Sequence, residues 1–303
     1  MDLSVPTDLS VPMDLPRSAA AAADLIVLAA AASTNDVLLS LAGEAPEFTV
    51  VMTTDQTSGR GRLGRTWLAP AGHGLAASVL LTPRSVDGGT LSTDVYGWLP
   101  LLAGLAMTRS VAAVLPHASV TLKWPNDVLV GGKKVAGLLA ELVQLVPGAG
   151  SGESVEDGAA GSRGYGAVIG SGVNLELTAG ELPTPVSTSL TLEGARGGAQ
   201  HGNAPLEGGP LLDAVLGGYL EALKELYADF LAAGADAAAS GLAAAVSERC
   251  SSLGQQVRVE LPGGSMLVGM AVDLDSSGRL RVRTPDDAVQ AVAAGDVTHL
   301  RYE

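Results

Sequence analysis

The segment Gln56-Thr57-Ser58-Gly59-Arg60-Gly61-Arg62-Leu63-Gly64-Arg65-Thr66-Trp67 alternates three glycines with three arginines. Glycines let backbone N–H groups come close to a ligand, and arginines present charged forks that match phosphate or carboxylate. The pattern is neither a P-loop nor a dinucleotide fingerprint. Taken alone it fits a solvated basic loop equally well. A second segment, Lys123-Trp124-Pro125-Asn126-Asp127, ends a strand and enters a turn, where Asn-Asp is ordinary turn chemistry. A third, Lys133-Lys134-Val135-Ala136-Gly137, starts a strand after a two-glycine turn. Adjacent strand residues face opposite ways, so Lys133 and Lys134 point to opposite faces. Six of the 18 lysines and arginines fall in Gly59–Arg65 and Lys123–Lys134, although the chain carries a net charge of -14. Compact cations in an acidic chain imply a local anion site, with phosphate the obvious ligand. The acidic balance argues against general nucleic-acid binding.

Positioning these segments requires strands at their edges. Asp24–Leu28, Thr49–Thr54, Leu75–Leu81, Val120–Trp124, Val128–Val130, Val135–Leu145 and Tyr165–Leu175 read as strands, with turns at Asn126-Asp127 and Gly131-Gly132. Ser33-Thr34-Asn35 supplies natural caps for a helix from Asp36. Val95–Leu115 reads as a long buried helix. Leu211–Ala232 repeats apolar residues at helical spacing (Leu212, Val215, Leu216, Leu220, Leu223, Leu226, Tyr227, Phe230), and a second helix is expected over Ala238–Val246. Gly148–Gly164 and Glu193–Pro210 are Gly-rich and read as long mobile loops. From Gln255 the pattern changes to five short strands, Val257–Leu261, Met266–Leu274, Leu280–Thr284, Val289–Val292 and Val297–Arg301, which suggest a small barrel. The start repeats itself: Asp2-Leu3-Ser4-Val5-Pro6 returns as Asp8-Leu9-Ser10-Val11-Pro12, then partly as Asp14-Leu15-Pro16. Such a Pro-punctuated repeat predicts disorder. The expected divisions are therefore 1–23 disordered, 24–250 a large domain and 251–303 a small one.

The 303 residues suffice for both cores, and 47% hydrophobic content predicts a globular chain. A single cysteine, Cys250, cannot form an internal disulfide and reads as an inert thiol in a reducing compartment. His73, His117, His201 and His299 lack metal-ligand spacing and read as surface or turn residues. The apolar run Ala19–Ala32 is broken by Asp24, and no apolar stretch is read as reaching the roughly 20 residues that span a membrane. A cytoplasmic location follows as the default.

In this order and spacing, Gly-Arg-Gly-Arg-x-Gly-Arg, Lys-Trp-Pro-Asn-Asp and Lys-x-Ala-Gly resemble the biotin protein ligase family. Ser33-Thr34-Asn35 upstream and Gly170-Ser171-Gly172-Val173-Asn174 downstream also fit, so the resemblance covers roughly residues 24–303. It implies an α+β fold: a mixed β-sheet backed by helices, related to class II aminoacyl-tRNA synthetases and lipoate ligases, with a small C-terminal SH3-like β-barrel. Repressor-type members carry an N-terminal winged helix-turn-helix, for which this N-terminus is too short. The resemblance therefore implies a ligase without a DNA-binding role, and no membrane partner.

The implied reaction activates biotin's carboxylate on ATP as biotinyl-5′-AMP, then transfers it to a lysine of a biotin carboxyl carrier domain of acyl-CoA or pyruvate carboxylase. By the family's pattern Ser33, Thr34, Asn35 and Gln56 bind the ureido ring and neighbouring atoms. Arg60, Gly61 and Arg62 form the biotinyl loop, with Arg62 on the carboxylate and adenylate phosphate. Gly59, Gly64 and Arg65 set the path of the loop, and Trp67 lies beside adenine. Lys134 is the catalytic lysine and Lys133 is not. Asp127 orients the incoming amine or helps hold Mg²⁺, Asn126 contacts phosphate or metal, and Lys123 contacts phosphate. Gly137, Gly170 and Asn174 line the floor, with a structural role as the close alternative for Asn174. A lipoate or octanoate ligase from the same superfamily and a non-catalytic biotin-binding protein are the competing readings.

Overall fold

A computed structural model describes residues 12–145, 164–195, 208–261, 263–293 and 295–299. The Gly-rich stretches read as mobile loops lie largely outside these residues, as do the first copy of the N-terminal repeat and His201. The chain opens with α1 (Pro16–Ala21), β1 (Asp24–Leu28), α2 (Thr34–Leu41), β2 (Thr49–Thr53), the short β3 (Gly59–Arg60) and β4 (Thr66–Trp67), and β5 (Gly74–Leu81). A 3-10 turn, Thr93–Trp98, leads into α3 (Leu99–Val114). Then come β6 (Val120–Lys123), β7 (Asp127–Val130), β8 (Lys133–Leu145), β9 (Gly164–Asn174), α4 (Gly208–Ala232) and α5 (Leu242–Arg249). Strands β10 (Gln256–Glu260), β11 (Met266–Leu274), β12 (Leu280–Arg283), β13 (Val289–Val292) and β14 (Asp296–His299) finish the chain.

Seven strands form a mixed sheet in the order β1-β2-β5-β9-β8-β7-β6. β1 and β2 run parallel, and every other neighbouring pair is antiparallel. Helix α2 covers one face through a small cluster around Leu38, Val51, Leu80 and Val168. The other face carries the main core, with α1, α3, α4 and α5. β2 and β5 are buried along their whole length, as expected of strands covered on both faces. The eight apolar residues that predicted α4 are all buried. Among the described residues one helical segment, Thr93–Val114 with 22 residues, is long and apolar enough to cross a membrane, where the sequence reading finds none. It is mostly buried, with α3 packed against the sheet and α4, so its apolarity serves the core.

The second sheet is antiparallel, in the order β13-β12-β11-β10-β14. Among the described residues β13 and β14 do not pair, so the barrel read from the sequence is an open sheet here. Its inner residues Val257, Val259, Leu280 and Val282 join the main core. Two tryptophans hold it: Trp98 Nε1 donates to Ser276 O at 2.8 Å, and Trp124 Nε1 donates to Gly278 O at 3.1 Å.

Three local expectations change. Composition predicts disorder over 1–23, yet residues 12–23 are ordered and include α1. Leu15, Ser18 and Ala21 are buried there, Ser18 Oγ donates to Asp213 Oδ1 at 2.7 Å, and Arg17 pairs with Glu221 at 2.6 Å. Repeat composition does not reveal such a tertiary dock. Helix α5 starts at Leu242 rather than Ala238, because Gly241 is left-handed (φ 76°) and Asp236 Oδ1 caps the N–H groups of Ala238 and Ala239 in a separate turn. Asp127 is a ladder residue rather than part of the turn. It pairs with Lys123 and Gly137.

Candidate active site

A cavity of about 560 Å³ opens between the first half of β8, the last half of β9, the β6–β7 turn, the β2–β5 connection and the second sheet. Every candidate residue read from the sequence lines it except Gly59 and Gly64. Lys133 is exposed and is not among its lining residues.

One end is a buried polar network. Ser33 caps α2 by accepting from Asp36 N at 3.4 Å. Thr34 N donates to Gln56 Oε1 at 3.0 Å. Ser78 is a lone hydroxyl in the apolar strand β5, 2.6 Å from Asn35 Oδ1 and 2.8 Å from Thr34 Oγ1. Asn35 Nδ2 donates to Glu141 Oε2 at 2.6 Å. A Cβ added at Gly170 would lie 2.2 Å from Asn35 Oδ1, so glycine is required for this approach. Buried amides and hydroxyls bonded in this way are preset for a neutral polar ligand.

Beside the network, β3 and β4 make a small hairpin whose tip bends at Leu63 (φ 55°) and Gly64 (φ 71°). The left-handed conformation suits Gly64 and strains Leu63. Gly61 N donates to Arg65 O at 2.6 Å, closing the tip. The Arg60 guanidinium turns to Asp36 at 2.5 Å and Glu141 at 2.9 Å, so its charge ties the loop down. Trp67 lies on a glycine seat. Gly137 and Gly172 are direct cross-strand partners, and added Cβ atoms would sit 3.2 Å and 2.3 Å from the indole.

The other end holds the cations. Lys134 Nζ is 2.6 Å from Asp127 Oδ1 and 5.5 Å from the Trp67 ring centroid. Arg62 Nη1 donates to Asn126 Oδ1 at 3.3 Å, and Asn126 Nδ2 donates to Leu138 O at 2.6 Å. Lys123 lines the same end. The register shift between β7 and β8 pairs Val128 with Ala136 but Leu129 with Lys134, leaving Val135 as an extra residue. This bulge re-aims the strand and brings Lys134 to the face of Gly137, where an added Cβ would be 3.0 Å from Nζ. Asn174 is buried, its Nδ2 donating to Thr188 O at 2.8 Å, which anchors the loop beyond β9.

Several lining residues carry no sequence motif. Val186 O accepts from Lys134 N at 2.8 Å, and Lys134 O accepts from Thr188 N at 2.8 Å, so residues 186–188 fix the lysine backbone. Thr298 and His299 reach the cavity from β14, and His299 Nε2 lies 3.0 Å from Ser252 Oγ, which accepts from Trp124 N at 3.1 Å. His299 is thus a partly buried site-wall residue and not the surface residue expected. Ser78 was legible as a polar residue inside an apolar strand; Glu141 and residues 183–188 gave no signal. Burial pushes the Cys250 thiol up, which favours its unreactive form.

Residues 27–148 match the biotin/lipoate A/B protein ligase family, and residues 252–300 match the biotin protein ligase C terminal domain. The chain is 35% identical over 283 residues to a biotin–[acetyl-CoA-carboxylase] ligase of Mycobacterium tuberculosis, covering 91% of this chain and 89% of that protein. It is 31% identical over 150 residues to the bifunctional ligase/repressor BirA of Bacillus spizizenii, covering 48% of this chain and 39% of that protein. Among solved structures, the biotin protein ligase from Aquifex aeolicus in complex with biotin and ATP superposes with a TM-score of 0.62 at 25% identity, covering 92% of this chain and 100% of that one.

Proposed function

The chain belongs to the biotin protein ligase family, and from that membership we infer that it uses ATP to ligate biotin to a lysine of a carboxylase's biotin carrier domain. The observation that carries this reading to particular atoms is the position of Lys134: its ammonium stands on Asp127 and lines the same cavity as the buried polar network and Arg62.

We assign the network of Ser33, Thr34, Asn35 and Gln56 to the ureido end of biotin, whose cyclic urea both donates and accepts. Gly170 and Gly137 keep the floor low enough for the acid to lie along β8 and β9. The carboxylate then points to Arg62 and Lys134. Its oxygen attacks the α-phosphorus of ATP, the bond to the β-phosphate oxygen breaks, and pyrophosphate leaves with that electron pair. Lys134 and Arg62 neutralise the charge that two anions bring together. Lys123 and Asn126 meet phosphate, and Arg65 and Trp67 border the nucleotide. In the second step a neutral carrier lysine amine attacks the acyl carbon, the acyl C–O bond breaks, AMP leaves with that electron pair, the amine gives up one proton to solvent, and Asp127 orients the amine. Arg60, Gly59, Gly61 and Gly64 keep the loop on its path, and its cover excludes water from the mixed anhydride.

The oxygens that would hold Mg²⁺ are one carboxylate at Asp127 and one amide at Asn126. Lys134 and Arg62 already stand on these two oxygens, so the pair would hold the ion only together with the substrate phosphates and waters that complete its shell. When bound, the ion withdraws charge from the phosphates. We further read residues 24–250 as the catalytic domain and 251–303 as an SH3-like domain whose β14 closes one wall. Acyl-CoA or pyruvate carboxylase carriers are the proposed partners, in the cytoplasm.

The test is exchange of pyrophosphate into ATP with Mg²⁺, dependent on biotin, followed by transfer to a purified carrier domain. Exchange with biotin supports the reading. Exchange with lipoate or octanoate but not biotin moves the chain to the lipoate side of its family, and exchange with no acid leaves a binding role.

A further inference from the structure

Glu141 belongs to none of the motifs, yet it is where the buried network and the Gly/Arg loop meet. Its Oε2 accepts from Asn35 Nδ2 at 2.6 Å and from Arg60 Nη2 at 2.9 Å. The same Arg60 Nη2 donates to Asp36 Oδ1 at 2.5 Å. We propose that Glu141 is a positioning residue for biotin: it sets which way the Asn35 carboxamide faces and, through Arg60, holds the loop over the bound acid. This inference rests on the biotin ligase reading and deepens it.

A carboxamide turned by half a rotation exchanges a donor for an acceptor. A carboxylate can only accept, so Glu141 demands Nδ2, and Leu139 O accepts from the same nitrogen at 3.4 Å. With Nδ2 committed, Oδ1 faces Ser78, whose single O–H donates to it. A carbonyl oxygen has a second lone pair, and Asn35 lines the cavity; that lone pair suits a ureido N–H. The reversed amide would present N–H to N–H there. Asn35 is 5% exposed, so water cannot rescue the wrong orientation.

The second half of the role lies in the loop. Arg60 stands two residues before Arg62, and its two carboxylates come from separate elements, α2 and β8. Crossing from one to the other fastens the hairpin to the sheet. Asp36 shares only this loop contact, so it separates the two effects.

Glu141→Gln, Glu141→Ala and Asp36→Asn are made in the full chain and assayed for biotin KM, ATP KM and the rate at which preformed biotinyl adenylate leaves. Glu141→Ala is expected to raise biotin KM about tenfold, as for loss of a hydrogen bond to a charged group, and Glu141→Gln less. Both should speed adenylate escape while ATP KM stays within about twofold. Asp36→Asn should speed escape with biotin KM within about twofold. Should Glu141→Ala not fold, the near-isosteric Glu141→Gln carries the test. Wild-type values in the Glu141 variants, with a biotin-active parent, overturn this inference alone. Parallel rises in both KM values with a lowered melting temperature overturn it too, since they mark general loosening. A parent that exchanges with lipoate and not biotin overturns the biotin reading and this inference together.

Discussion

At one end of the cavity Thr34, Asn35 and Ser78 are at most 5% exposed and bonded to one another. At the other, Arg62, Lys123 and Lys134 are only half-buried, and Lys134 leans on Asp127. On the proposed assignment, the contrast follows from what each end would hold. A neutral urea offers only hydrogen bonds, so its partners gain by being fixed beforehand in a dry site. Anions bring their own charge. Cations held fully dry before the anions arrive would carry a large desolvation cost, so they stay partly wet and are steadied by Asp127 and Asn126. The floor is therefore a matter of shape and orientation, the mouth a matter of charge.

The largest effect should come from the mouth. Lys134→Ala is expected to lower the exchange rate about 10²–10³-fold, or ~2.7–4 kcal/mol of transition-state stabilisation, while Lys133→Ala stays within about twofold. Steady-state exchange for the two variants checks this, and equal losses would break the assignment of charge to one face.

Gly170→Ala probes the floor. Its Cβ would lie 2.2 Å from Asn35 Oδ1, and overpacking of about 1–3 kcal/mol, if it falls on the biotin-bound state, corresponds to roughly 5–150-fold in biotin KM. ATP KM should barely move. Isothermal titration with biotin and with ATP separates the two, and equal weakening of both ligands would blur the division between floor and mouth.

Asp127→Asn should be milder, about tenfold in the rate with little change in biotin affinity, because it removes the charged partner of Lys134 and leaves the lysine in place. A larger loss in transfer to the carrier than in exchange would sharpen its role toward the amine-orienting step.

Arg17→Ala, remote from both ends, sets the baseline. Activity should be unchanged. The Glu221 carboxyl is held below the usual carboxylate range by its bond from Arg17. Its contribution is present above the unfolded value of about 4.3 and fades as pH falls through the lower folded value. The pair is partly exposed, so the variant should lose less than about 1 kcal/mol at neutral pH. Chemical denaturation at neutral pH and in acid should show that difference shrinking in acid; a constant difference would mean that packing of α1, not the ion pair, is what Arg17 supplies.

Local patterns determined a good deal. The spacing of Leu212 to Phe230 specifies a buried helix, Ser33 specifies the start of α2, and runs such as Gly74–Leu81 specify central strands, because each rests on periodicity or capping within a few residues. The Gly/Arg loop and the two lysine segments likewise stand out by composition alone as gathered cations, and they line one cavity. What only the tertiary structure decided is how those pieces meet. Strand alternation separates Lys133 from Lys134, but the bulge at Val135 is what brings Lys134 to the face of Gly137 and Trp67, and a bulge depends on the pairing of two strands. Arg60 belongs in sequence to the loop that the resemblance assigns to biotin, and only the structure shows that its guanidinium also ties that loop to positions 36 and 141. Residues 186–188, His299 and α1 gain their places through contacts far away along the chain, and no periodicity within a short window encodes a partner that distant.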